Sequence, residues 1–382
     1  MKILFTGDVN FGSSVFDEDA TAYALKSLKK SFDECDYVIP NLECTLIEKS
    51  KYIPIKKSGP NLADKPENIS FLKGMNVYGV TLANNHIGDF GEDAVRATLA
   101  LLRENNITSC GAGKDIQSAY SPIRIEKDEI MLSIISVCEN EFGIATEKSY
   151  GSAGYNPRRL LRAIRQEKES NRLVIVVFHG GNEHSPIPSP DTVDRYRLIC
   201  DMGADAVIGG HTYCPQGYEI YDGKPIVYSM GNFLFPKPLE ADNSWFFGYM
   251  TELEIDTSIK IKAIPYRYDR DNRCFISLSG NKAFNEYIEL LSNVIKDEAL
   301  LKLCFDKWAL LHPWCPSLPE NYSGGVFDIT DYNPYPNYNL ICCEAHLSQL
   351  KAALKLLCEG VTAITDKRAN DILDFDFSAF IK

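Results

Sequence analysis

Basic charge is what this chain has too little of: 52 acidic residues outnumber 40 lysines and arginines, for a formal net charge of -12. A surface of that sign does not displace counterions from a nucleic acid or an anionic bilayer, which excludes a general affinity for either. Long apolar runs are missing too. The longest, LVIVVF at 173–178, falls far short of the roughly 20 residues that cross a bilayer, so no membrane insertion is expected. The start, MKILFTGDVN, passes from a short apolar run directly into a polar string without the cleavage region of a secretory signal, and the expected location is the cytoplasm. The 12 cysteines form no CxxC pair and only one adjacent pair, Cys342 and Cys343. That excludes a zinc ribbon and a disulfide scaffold and leaves most thiols reduced and buried. Without repeats, heptads or low-complexity tracts, the chain is neither a filament nor a disordered scaffold.

What the chain does have is enough apolar content, 45% of 382 residues, for one large core and a smaller one. Apolar segments of strand length alternate with amphipathic segments of helix length up to about residue 210. KILFT and YVIPN read as strands with a helix near 20–32 between them, and a helix near 64–74 leads to VYGVTLA. In GEDAVRATLALLREN, Val95, Leu99 and Leu102 share a helical face. A hairpin at 121–137 and helices near 157–170 and 190–202 precede LVIVVF and ADAVIGG. Between 216 and 268 closely spaced strands, with a DG turn in YEIYDGKPIVYS, suggest a second sheet beside the first. The expected fold class is α/β, an α+β sandwich of two mixed sheets flanked by helices. A main domain over 1–275 and a helical accessory region over 276–382 complete the expectation. In the tail, Phe284, Tyr287, Ile288, Leu291 and Ile295 mark one helical face. Leu347, Leu350, Leu354 and Leu357 mark another, read as core contacts, with Pro-rich breaks at 313–319 and 332–338.

Short polar strings end the apolar runs: GDVNF at 7–11, NLE at 41–43, ANNHIGD at 83–89, FHGG at 178–181 and GGHTY at 209–213. Open α/β sheets gather ligands at such strand ends. The strings supply carboxylates (Asp8, Glu43), an amide (Asn85) and imidazoles (His179, His211), the mixture that borderline divalent metals such as Mn, Fe or Zn favour. Glu43 is the candidate bridge between two metals. His86, beside the amide, is the candidate proton donor to a leaving group, with Asp89 orienting it or capping the next helix. Taken singly, each residue is more often a turn, cap or structural hydrogen-bonding residue. Four of the six histidines, His86, His179, His184 and His211, fall within or near these strings, which favours a shared site. An anionic small molecule or polymer would need a locally positive pocket, from metal and from Lys56 and Lys57 or Arg158, Arg159, Arg162 and Arg165. The alternative for those basic stretches is a solvated face.

The strings resemble the CapA or PGA_cap family, with its calcineurin-like metallophosphoesterase fold, over residues 1–270. LANNHIGDFG, the GAG at 111–113, HGGNEH, GADAVIGGHTYCPQ and YSMGNFLF carry the resemblance together with GDVNF and NLE. It implies Asp8, Glu43, Asn85, His179 and His211 as metal ligands and His86 as the acid. Asn10, Asn84, His184 and Tyr213 are the expected substrate-facing residues. Tyr213 stands where the superfamily pattern ends in histidine, and Asn10 where the wider superfamily also has one. The expectation is therefore one tightly bound metal and a second bound weakly, or only with substrate. The implied function is hydrolysis of a phosphoester or related anionic polymer or metabolite, with a link to capsule or poly-γ-glutamate synthesis. The alternative is a component that holds such a polymer without cutting it. Family members in capsule synthesis are typically membrane-attached, and no such anchor is read here.

Overall fold

A computed structural model describes residues 1–236, 243–312 and 335–380 of the chain. Two mixed sheets of eight and six strands form the centre. In the first, Lys2–Val9 lies between Tyr37–Leu42, to which it is parallel, and Phe247–Ile255, to which it is antiparallel; Asn232–Leu234 also pairs with it. In the second, Leu173–His179 is the middle strand, parallel to both Ile130–Cys138 and Ala206–Gly210. These central strands are mostly apolar and buried on both faces, as parallel strands covered by other layers must be, with the polar residues Asp8 and His179 at their ends.

The two-sheet sandwich agrees with the expectation, but its division does not follow the chain. Residues 216–268 do not form one sheet. Tyr218–Tyr221 and Lys224–Val227 extend the sheet of Leu173–His179, whereas Phe247–Ile255 and Ile259–Asp269 join the sheet of Lys2–Val9. Turn chemistry marks hairpins locally, and nothing in a strand's own residues specifies which edge it adds to. The helix near 20–32 is two short helices, Glu18–Leu25 and Lys29–Asp33. The expected 64–74 helix is a 3-10 turn, Pro66–Asn68, followed by Ile69–Gly74. Pro66 suits the first turn because its missing N–H is not needed there. The hairpin is Ile123–Lys127 with Ile130–Cys138, and the later helices are Pro157–Glu169 and Pro190–Asp201.

In the tail, Lys282–Lys296 buries Phe284, Tyr287, Ile288, Leu291 and Ile295 as expected, within the same apolar cluster as Ile226 and Tyr249. The leucine stripe of Glu344–Cys358 does not behave that way: Leu354 and Leu357 are each 49% exposed. The helix instead buries Ala345, Ser348, Gln349, Ala353 and Leu356, three of them small residues that let it approach its neighbours closely. The break at 313–319 lies outside the described residues, as does 332–334; Tyr335–Cys342 is helical. No described helix is long and apolar enough to cross a membrane.

Gly7 shows how tightly the first sheet is built. A Cβ there would lie 1.8 Å from the Gly231 carbonyl oxygen, a backbone atom that cannot step aside alone. We predict that Gly7→Ala destabilises by at least about 3 kcal/mol, at the upper end of ordinary overpacking. A urea midpoint unchanged from the parent would contradict that packing.

Candidate metal centre

Parallel pairing brings the polar strings to one edge. Asp8 sits opposite Asn41 in one sheet, and His179 opposite Gly210 in the other, so all four strand ends open on the same side. There the ligand atoms of Glu43, His179 and His211 lie within 4.8 Å of one another, all three residues buried. His179 Nε2 is 3.2 Å from Asn85 Oδ1, 3.1 Å from His211 Nδ1 and 3.7 Å from Glu43 Oε1. Asp8 completes the group: its carboxylate accepts from Asn41 Nδ2 at 2.6 Å and from the His211 backbone N–H at 2.9 Å, and lies 3.6 Å from His179 Nδ1.

The electrostatics suit a cation. Glu43 is 0% exposed, and neither of its carboxylate oxygens has a hydrogen-bond partner among the described residues. An isolated buried carboxylate costs several kcal/mol unless a positive partner compensates it. Burial, then the nearby charges of Asp8 and Glu183, pushes its carboxyl well above the usual range. Burial and the neighbouring His179 lower His211 to about 4, so it stays neutral at physiological pH with a lone pair to offer. Burial alone would raise Asp8, but His179 and the donors from Asn41 and His211 hold it below the ordinary value. The donor set of carboxylate, amide oxygen and neutral imidazole therefore fits a borderline divalent ion.

His86 stands beside this group, Nε2 3.9 Å from Glu43 Oε1 and Nδ1 2.7 Å from Asp89 Oδ2. Asp89 also holds Lys57, whose side chain is 2% exposed, at 2.5 Å. Lys57 thus belongs to the site rather than to a solvated face, a placement that a KK dipeptide in a loop does not signal. Burial, followed by the charge of Lys57, lowers the His86 pKa. The arginines of the basic helix are by contrast exposed.

Around the centre opens a cleft of about 960 Å³. Asn10, Asn85, His86, His184 and Tyr213 line it. His184 stacks on Trp245, and Tyr213 donates its hydroxyl to Glu183 at 3.0 Å. His184, His211 and Tyr213 all hold positive φ, at 61°, 95° and 63°. Such strain costs about 1–3 kcal/mol per residue and is retained where the surroundings enforce it. Asn84 does not face the cleft, contrary to the expectation. Its Nδ2 donates to Leu42 O at 2.8 Å while its Oδ1 accepts from the His86 and Ile87 amides, so it builds the turn that presents Asn85 and His86. Sequence reasoning missed Asn41, Glu141, Glu183 and Trp245. Asn41 and Glu183 lie inside the quoted strings and could have been read from them; Glu141 and Trp245 carry no such signal.

A further network braces the edge. Arg195 Nη1 and the Gly181 amide donate to Glu139, at 2.7 and 3.1 Å. Burial would raise Glu139, but Arg195 and Gly181 hold it below its ordinary 4.5. A depressed carboxylate contributes stability that is present above the unfolded value, about 4.3, and lost as pH falls through the folded one. We therefore predict that the parent loses stability between pH 5 and 3 more steeply than Glu139→Gln, by urea midpoint.

The model of the bacterial capsule synthesis protein family PGA_cap matches residues 2–237. This chain belongs to the PGA_cap family. Among its relatives are the capsule biosynthesis protein CapA of Bacillus anthracis, 26% identical over 62% of this chain and 60% of its own length, and the PGA biosynthesis protein CapA of Bacillus subtilis, 27% identical over 60% and 62%. A probable polyglutamine synthesis accessory protein of Mycobacterium tuberculosis is 27% identical over 52% of this chain and 55% of its own. The chain thus spans about six tenths of the length of the two CapA proteins. The PGA_cap match covers every candidate ligand, from Asp8 to His211, and ends before the helical tail.

Proposed function

We propose that this PGA_cap member is a metal-dependent hydrolase of the phosphoesterase type, acting on a phosphoester or related anionic polymer or metabolite in capsule or poly-γ-glutamate synthesis. The observation that carries this reading is Glu43, a buried carboxylate whose oxygens have no hydrogen-bond partner among the described residues, flanked by two imidazoles and the Asn85 amide oxygen. Glu43, Asn85, His179 and His211 would hold a divalent ion, and Asp8 would stand beside a second, weaker position. Such an ion supplies Lewis acidity toward water and toward a substrate oxygen.

The chain's own groups do the rest. Asp89 accepts from His86 Nδ1–H, fixing the ring with Nε2 3.9 Å from Glu43 Oε1. In the imidazolium form, protonated on both nitrogens, the Nε2 proton can pass to a leaving oxygen and leave the ring neutral, with its Nδ1–H still on Asp89. Lys57 neutralises Asp89 and keeps it in place. Tyr213, Trp245 and His184 pack against one another along one side of the cleft. A second reading, polymer binding without cleavage, draws on Asn10 and Tyr213: Tyr213 is engaged with Glu183 rather than free to act as a ligand.

The test is manganese loading followed by a panel of phosphomonoesters, phosphodiesters and γ-glutamyl amides. His179→Ala is expected to lose bound metal and all turnover while keeping the parent's circular dichroism. Turnover at the parental rate in that variant would remove the centre from the chemistry. Metal uptake without turnover of any substrate would favour the binding reading.

A further inference from the structure

We propose that helix Glu344–Cys358 forms the substrate-facing wall opposite the metal centre, and that His346 on it binds the part of the substrate extending beyond the reacting group. The inference rests on the metal-centre reading and adds a specificity residue from outside the portion matched to PGA_cap, which ends at residue 237.

The helix is docked by its first turn. Glu344 accepts from the Asn140 backbone N–H at 3.0 Å and from its side-chain amide at 2.7 Å. Asn182 Nδ2 donates to the Ala345 carbonyl at 3.0 Å, and Cys343 Sγ approaches Glu139 at 3.5 Å. These partners lie in the loops that leave strands Ile130–Cys138 and Leu173–His179, the same loops that carry Glu141 and Glu183. Both carboxylates face the metal centre from the cleft side, 3.9 and 3.8 Å from His211 Nε2. His346 lines the same cleft as both carboxylates.

The cleft therefore has two walls of different origin. Asn85 and His86 belong to one, and His346, with Asn339 and Trp308, to the other. A ligand that reaches the metal ligands and fills about 960 Å³ touches both. The far wall offers an imidazole and a carboxamide, so it recognises a group that both donates and accepts hydrogen bonds, a hydroxyl or an amide, rather than a bare apolar tail.

The test compares two phosphonates whose P–C bonds an esterase does not cleave, titrated by calorimetry into the manganese-loaded full chain. Methylphosphonate reaches only the metal centre; 3,4-dihydroxybutylphosphonate carries a diol arm toward the far wall. The parent is expected to prefer the diol compound at least tenfold. His346→Ala should reduce that preference about tenfold, with manganese uptake, melting temperature and methylphosphonate affinity close to parental. If His346→Ala does not fold, His346→Gln carries the comparison. A parent without preference, a preference intact in the variant, or equal weakening of both compounds overturns the inference. Binding of neither phosphonate to the parent overturns it together with the metal-centre reading. Phosphonate binding without turnover of p-nitrophenyl phosphate defeats only the hydrolase reading and leaves the preference as the deciding result.

Discussion

Glu43→Gln is expected to abolish manganese retention while leaving the metal-free protein at least as stable as the parent. The two halves of that result have one cause. Without a cation, the parent must bury a carboxyl group whose oxygens find no donor among the described residues, and its raised pKa records the resulting preference for the neutral form. A glutamine of the same shape removes the ionisable group and costs little, whereas loss of the negative charge removes the ligand. At a manganese concentration 100 times the dissociation constant the parent should gain about 2.7 kcal/mol of stability through binding. The variant should gain none. Melting temperatures with manganese and with chelator, together with elemental analysis after desalting, give both numbers. A metal-dependent rise in the variant equal to the parent's would mean that the ion is held elsewhere.

The second large effect concerns Lys57, Asp89 and His86. Lys57→Met leaves the Asp89 carboxylate buried without its cation, and Asp89→Asn leaves the Lys57 ammonium in the same position. Breaking one side of a buried pair typically costs 3–5 kcal/mol, whereas removing both charges is far less costly. Each single variant should therefore melt well below the parent, and Lys57→Met combined with Asp89→Asn should recover most of the difference. Turnover should not recover. Both single variants and the double variant loosen the ring of His86, whose Nδ1 is held by Asp89 at 2.7 Å. A drop of roughly 10² to 10⁴, the range of a positioned proton donor, is expected in all three, with manganese retained. Parental rates in the double variant would show that the relay serves stability alone.

How far the site could be read in advance depended on where each residue lies along the chain. Asp8, Glu43, Asn85, His179 and His211 lie at or just beyond the ends of strands that parallel pairing brings to one edge, so their convergence could be expected from the strings that carry them. Asn84 looked equivalent to Asn85, yet adjacent positions in a tight turn point differently, and its amide is consumed by Leu42, His86 and Ile87. Lys57 was ambiguous because a loop lysine is usually solvated, and its partners far along the chain, Asp89 above all, with the Asn85 carbonyl and His86, draw it inside. The leucines of Glu344–Cys358 misled for the converse reason: periodicity identifies a helix and its apolar stripe, but the buried face is whichever one the neighbouring elements cover.

Residue patterning alone was enough for the α/β class and the PGA_cap motifs, and for proposing the ligand residues, because alternating periodicity and residue type are local properties that survive without a partner in view. The tertiary structure alone decided three things. It allotted strands 216–268 to two sheets, it turned Lys57 inward to Asp89, and it carried His346 from the far end of the chain to the rim of the cleft. Each of these depends on contacts between segments distant in sequence, whose free energy comes from shared burial and paired charge and is written in no single stretch of residues.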